Sequence, residues 1–178
     1  MKLGIKIAAI ILLSVFGVVS VSLGADVAKI GVVNFQRILD ESSGGKIITK
    51  KIGDRSKEIR QRLINERNAI NKMTQDFSHQ TAVMTLEQQD EKAREIRIRR
   101  NDAVKMEKRL AQGFKKLQAE LLAQFHKDVT QIVTEIGKKE GYLLILAKKE
   151  SAVVFSPDNI DITDAVIKQY NKLTAKKK

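Results

Sequence analysis

The sequence has 178 residues, of which 43% are apolar but only 4% aromatic; it has no Cys, no Trp, one Pro and a formal charge of +12. That composition excludes a disulfide framework, cysteine-ligated metal and thiol chemistry, and its charge directs attention to anionic or acidic partners. Few rings, one proline and a charged fraction of 30% suit long exposed helices better than a compact globule.

In chain order, Lys2 and Lys6 flank the start of an apolar run, Ile7 to Val19, broken only by Ser14 and Gly17, and small residues follow at Ser22, Gly24 and Ala25. This predicts a secretory signal peptide over residues 1–25, cut after Gly24 or Ala25. A retained anchor is the alternative, but the run falls short of the roughly 20 residues a span requires. No Cys follows it, so lipoprotein processing is not expected. Cleavage takes the basic count from 33 to 31 against 21 acidic residues, a mature charge of about +10. The mature chain is expected outside the cytoplasm.

Ile30-Gly31-Val32-Val33-Asn34 reads as a short strand, and Phe35 to Leu39 as a helical turn with Phe35, Ile38 and Leu39 on one face. Ser42-Ser43-Gly44-Gly45 is a turn signal able to cap the next helix. From Lys46 to about Gln80 a heptad frame places Thr49, Ser56, Leu63, Ile70 and Phe77 at a, and Ile52, Ile59, Glu66 and Met73 at d. Polar Thr49, Ser56 and Glu66 make this a weak seam. Residues 78–85 lose the pattern and predict the tip of a helical hairpin. Thr85-Leu86-Glu87-Gln88 predicts a capping box opening a return helix that runs from Leu86 to about Lys139. Its frame has Ile96, Ala103, Leu110 and Leu117 at d, and Ala93, Arg100, Glu107, Phe114 and Leu121 at a. Beyond Leu121 the step becomes four, giving Phe125 and Val129, then Ile132, Val133 and Ile136, as if the helix entered a larger core. Gly141 stops it. Tyr142 to Ala147 and Ala152 to Phe155 predict a strand hairpin across Lys148–Ser151. Asp161 or Thr163 caps a last helix carrying Val166, Ile167, Tyr170 and Leu173, followed by a basic tail, Lys176-Lys177-Lys178.

The fold class is therefore α+β, mostly α: a long antiparallel hairpin arm (46–139) on a small β-containing body (26–45 and 140–178). A body that small is marginal alone, so self-association is expected.

Residues 46–116 hold 19 basic and 10 acidic side chains, which puts most of the positive charge on the arm. A solvated helical face accounts for part of it; the excess of one sign also creates a field that attracts acidic chains. Candidate binding residues are Arg60, Arg62, Arg67, Arg97, Arg99 and Arg100, with apolar Met73, Phe77, Met84 and Leu86 near the tip. The tip residues could equally be ordinary hairpin packing. Catalysis and cofactors are not expected. Ser42-Ser43-Gly44-Gly45-Lys46 lacks the first glycine and the final Ser or Thr of a phosphate loop, with Asp40 and Ile47 there instead. His79 and His126 have no metal-ligand spacing, and Asp158, Asp161 and Asp164 lack that of a calcium loop.

Lys29-Ile30-Gly31-Val32-Val33-Asn34-Phe35-Gln36-Arg37-Ile38-Leu39, then Gly141-Tyr142-Leu143-Leu144-Ile145-Leu146, Ala152-Val153-Val154-Phe155 and Asp161-Ile162-Thr163-Asp164-Ala165-Val166-Ile167, resemble the Skp/OmpH family of periplasmic outer-membrane-protein chaperones. The resemblance spans about residues 28–172. It implies a homotrimer whose strands form a shared body, with three arms around a cavity that holds unfolded outer-membrane proteins without ATP. It also implies intersubunit contacts at Ile30, Val32, Val33, Phe35, Leu143, Ile145, Val153 and Phe155. Anionic lipid or lipopolysaccharide is a compatible further partner. The rivals are a structural coiled-coil spacer or adaptor of the envelope, and a nucleic-acid binder. The export signal and the lack of an aromatic–basic stacking surface oppose the second.

Overall fold

The structure, a computed structural model, describes residues 28–149 and 151–176; the expected signal peptide and Lys177-Lys178 lie outside the described residues. Strand β1 (Ile30–Val33) leads into helix α1 (Phe35–Glu41), then α2 (Ser43–Gln80) and a single 3₁₀ turn, Thr81–Val83. Helix α3 (Leu86–Glu140), strand β2 (Leu144–Ala147), a second 3₁₀ turn (Asp158–Ile160) and helix α4 (Thr163–Lys176) complete the chain.

Local sequence explains most boundaries. Asn34 caps α1 by accepting the Arg37 N–H at 3.0 Å. Ser42, fully buried, ends α1 and caps α2, its Oγ accepting the Gly45 N–H at 2.9 Å. Ser42-Ser43-Gly44-Gly45 is thus the cap and first turn of α2, not a separate loop, and the arm helix begins three residues earlier than the periodicity predicts. The two glycines are required by closeness: a Cβ on Gly45 would lie 2.0 Å from the Leu39 carbonyl oxygen, and one on Gly44 would lie 2.6 Å from the Tyr170 ring. At the other end α2 continues to Gln80, so the tip is shorter than residues 78–85. The capping box forms as predicted, with Gln88 N–H on Thr85 Oγ1 at 3.3 Å and Thr85 N–H on Gln88 Oε1 at 3.0 Å. Gly141 closes α3 in the left-handed region at φ 70°.

The base holds the core. Phe125, Val129, Ile132 and Ile136 from the end of α3 pack with Val33, Ile38, Ile162, Val166 and Tyr170. Each such side chain contributes roughly 1.5–3 kcal/mol by leaving water. Phe125 sits centrally, its ring edge-on to Tyr170 at 5.6 Å and to Phe35 at 6.4 Å. The change to a four-residue step after Leu121 therefore marks the entry of α3 into this core.

The sheet differs from the expected hairpin. β1 and β2 pair in parallel, Ile30 opposite Leu144 through Val33 opposite Ala147, so the whole arm is the crossover between them. On its other side β1 meets Asp161 in a single bridge, and the Ile162 N–H donates to the Val32 carbonyl at 2.9 Å. Tyr142, expected in the strand, instead folds over Gly31, where a Cβ would touch its ring at 3.0 Å. The Lys29 ammonium stands 4.0 Å above that ring.

Ala152 to Phe155 form no strand. The Val153 N–H reaches the Lys148 carbonyl at 3.1 Å, but Ala152 adopts φ 49°, and the chain turns away from β2. Val154 and Phe155 are left 99% and 85% exposed. A β-branched run identifies strand-forming residues without identifying their partner, and among the described residues the free side of β2 has none. Lys148 lies in the turn after β2 as expected, and its ammonium donates to Asp161 Oδ2 at 2.8 Å. Thr163 opens α4, its N–H donating to Asp161 Oδ1 at 2.8 Å. Burial works against the charge on Asp161, yet the hydrogen bonds from Lys148 and Thr163 outweigh it and hold the carboxyl below its ordinary range.

Candidate functional site

The arm is two rods. The 38 residues of α2 span about 57 Å at ~1.5 Å per residue, and α3 runs back along it before continuing into the base. On α2 the inward line follows the heptad frame: Ile52, Ser56, Ile59, Leu63, Glu66, Ile70, Met73 and Phe77 are half-buried, and only Thr49 is exposed. On α3 the frame needs correction toward the tip. Ala93, Arg100 and Glu107 are exposed, while Arg99 and Met106 join Ile96, Ala103 and Leu110 inside. The inward step from Ile96 is three residues, not four. Both steps suit a helix, and only the position of α2 selects between them.

That rotation gives Glu66 its partner. The Arg99 guanidinium reaches across the arm to donate from Nε at 2.7 Å and Nη2 at 3.2 Å to the two carboxylate oxygens. This two-pronged contact, the charge-assisted geometry that arginine favours, holds the Glu66 carboxyl below and the Arg99 guanidinium above their ordinary ranges. Arg100 donates to Thr74 Oγ1 at 3.1 Å. Two of the six candidate arginines thus brace the arm. The remaining four, Arg60, Arg62, Arg67 and Arg97, are exposed and make no ion pair with the described residues. Most of the other ion pairs on the arm join neighbours on the same helix, such as Lys50–Asp54 and Arg55–Glu58.

At the tip, Met73, Phe77 and Met84 are half-buried in the seam, whereas Leu86 is 79% exposed. Sequence reasoning missed Val83, which is 85% exposed beside it; an apolar residue in a gap without periodicity was the available signal. The Gln89 amide ties the turn down, donating to the carbonyls of Thr81 at 3.0 Å and Met84 at 3.2 Å. Val83 and Leu86 are thereby presented on a fixed turn.

At the base the residues suggested for subunit contact separate into two groups. Val32 and Val33 are both 2% exposed, and Val33 belongs to the chain's own core; Phe35 stacks on His126 at 5.0 Å, and Ile145 packs against the same core. Ile30, Leu143 and Phe155 are exposed, joined by Leu144 and Val154, while Val153 is half-buried. Among the described residues no helix is long and apolar enough to cross a membrane, and no group of His, Cys, Asp and Glu could hold a metal ion.

A basic, loosely zipped helical hairpin inserted between two parallel strands of a small base defines an arm-bearing class of protein. Within that class the chain belongs to the OmpH-like outer membrane protein family, whose model matches residues 29–170. The crystal structure of a candidate OmpH-like outer membrane chaperone from Caulobacter crescentus CB15 has the same fold. It aligns with a TM-score of 0.76 at 14% identity, covering 84% of this chain and 87% of that one. No curated protein matches the sequence.

Proposed function

We propose that the chain is a non-enzymatic, ATP-independent periplasmic holdase that binds unfolded outer-membrane proteins and keeps them from aggregating before insertion. The observation that carries this reading is the arm: a rod with four exposed, unpaired arginines, weak internal packing and two apolar residues displayed at its tip. Positive charge accelerates the encounter with acidic chains, and scattered apolar contacts hold without locking, so that the client can leave. Family membership supports the compartment and client class.

A cleaved signal peptide over residues 1–25 delivers the chain there. The subunit assembles as a homotrimer through the open edge of β2 and the exposed Ile30, Leu143, Val154 and Phe155, since an unpaired edge strand with apolar side chains seeks a second strand. Anionic lipid or lipopolysaccharide is a secondary ligand of the same basic surface.

The test mixes the mature protein with a urea-denatured outer-membrane barrel and follows light scattering without ATP. Scattering should fall as chaperone is added, and less so at high salt, where the arm's field is screened. Unchanged scattering at every ratio rejects the holdase, and capture of one folded partner at fixed stoichiometry identifies an envelope spacer or adaptor instead.

A further inference from the structure

The seam of the arm changes character partway along. On the base side Ile52, Ile59 and Leu63 supply its apolar inward line; on the tip side Ile70, Met73 and Phe77 do, opposite the helix that carries Ile96, the one buried side chain of the arm proper. Between these stretches lies Glu66, the only acidic side chain on the inward line of α2, gripped by Arg99. Arg99 also places Nη1 3.6 Å from Met73 Sδ, so a single side chain reaches past Ile70 from the polar position to Met73.

Clefts open on both flanks of the pair. One, of about 180 Å³, lies against Arg67, Ala103 and Val104, and the other, of about 640 Å³, against Arg62, Asn65 and Ala69. Packing beside the pair is therefore incomplete on either side, and the ion pair joins the two helices between the clefts. Contacts of this kind weaken in salt and are lost when either partner is neutralised.

We propose that the Glu66–Arg99 pair is a polar joint that divides the arm, so that the tip-side segment tilts or parts as a unit while the base-side segment stays zipped. The rod has two apolar clamps, and the joint lies between them. The tip clamp is reinforced by the Gln89 hydrogen bonds, so opening begins at the joint and not at the turn. This device is independent of any client the arm holds, and its test requires none.

Nitroxide pairs would be placed on exposed residues of the full mature chain: Gln75 with Ala93 on the tip side of the joint, and Lys57 with Gln112 on the base side. Tilting is read by a third pair across the joint along one helix, Lys57 with Gln75. In E66Q the opened or tilted population seen by the first and third pairs should rise about two- to fivefold, the range for loss of one exposed ion pair, with the base-side pair unmoved. The reversed pair, E66R with R99E, should restore the original distributions, and wild type in high salt should reproduce the E66Q result. Circular dichroism identifies any variant that has unfolded; the wild-type salt series then stands as the test. Unchanged distributions in E66Q and in salt overturn the joint, as does equal broadening of all three pairs, which describes a uniform zipper.

Discussion

The base and the arm are built from the same helix, and they obey different rules. From Phe125 onward α3 has Val129, Ile132 and Ile136 almost wholly buried, while toward the tip the same helix buries only Ile96 among its inward residues. The contrast is sharpest at the glycines. Gly44 and Gly45 leave no room for a methyl group, yet a methyl group added at Gly53 or Gly113 on the arm would meet nothing within 4 Å. A chain that is tight at one end and loose at the other has a fixed platform and a compliant appendage. Local stability should follow that division.

The largest expected effect is at the platform. Phe125→Ala removes a ring that meets Phe35, His126 and Tyr170 and should cost about 3–5 kcal/mol in urea unfolding; a loss under about 1 kcal/mol would erase the contrast. Gly45→Ala comes next, at about 1–3 kcal/mol, because a backbone carbonyl cannot step aside as a side-chain end can.

Acid should loosen the platform further. The carboxyl of Asp161 is held below its ordinary value near 3.8 in the folded chain, so its contribution is complete above that pH and disappears as the pH falls below it. In Asp161→Asn the decline in melting temperature below pH 4 should be shallower than in wild type, and an identical decline would place the acid sensitivity elsewhere. Smallest, and of opposite sign, Gly53→Ala on the arm should stabilise α2 by about 0.5–1 kcal/mol. Amide exchange around residues 50–56 reads this directly, and accelerated exchange there would mean the arm is packed after all.

The arm was largely legible in advance because its rules are short-range. Thr85 and Gln88 cap a helix through bonds three residues apart, Gly141 ends one through its own backbone, and the heptad frame of α2 needs only its own side chains. The candidate site was less so. Glu66 read as a flaw in the seam because its partner, Arg99, is 33 residues away, and Arg99 itself read as an exposed charge. Val83 carried no periodic signal at all. Val32 and Val33 read as interface from the family resemblance alone, and the core that receives Val33 is assembled largely from residues a hundred positions later.

By itself the sequence determined the helices, their caps, the basic arm and the point where the inward face of α3 becomes wholly apolar, since each depends on groups within a turn or two. Tertiary structure decided the pairing of β2 with β1 across the whole arm, the release of Ala152 to Phe155 from any strand, and which side of α3 faces inward. Those choices compare distant alternatives of similar local energy, and only the folded chain brings the competing partners within reach.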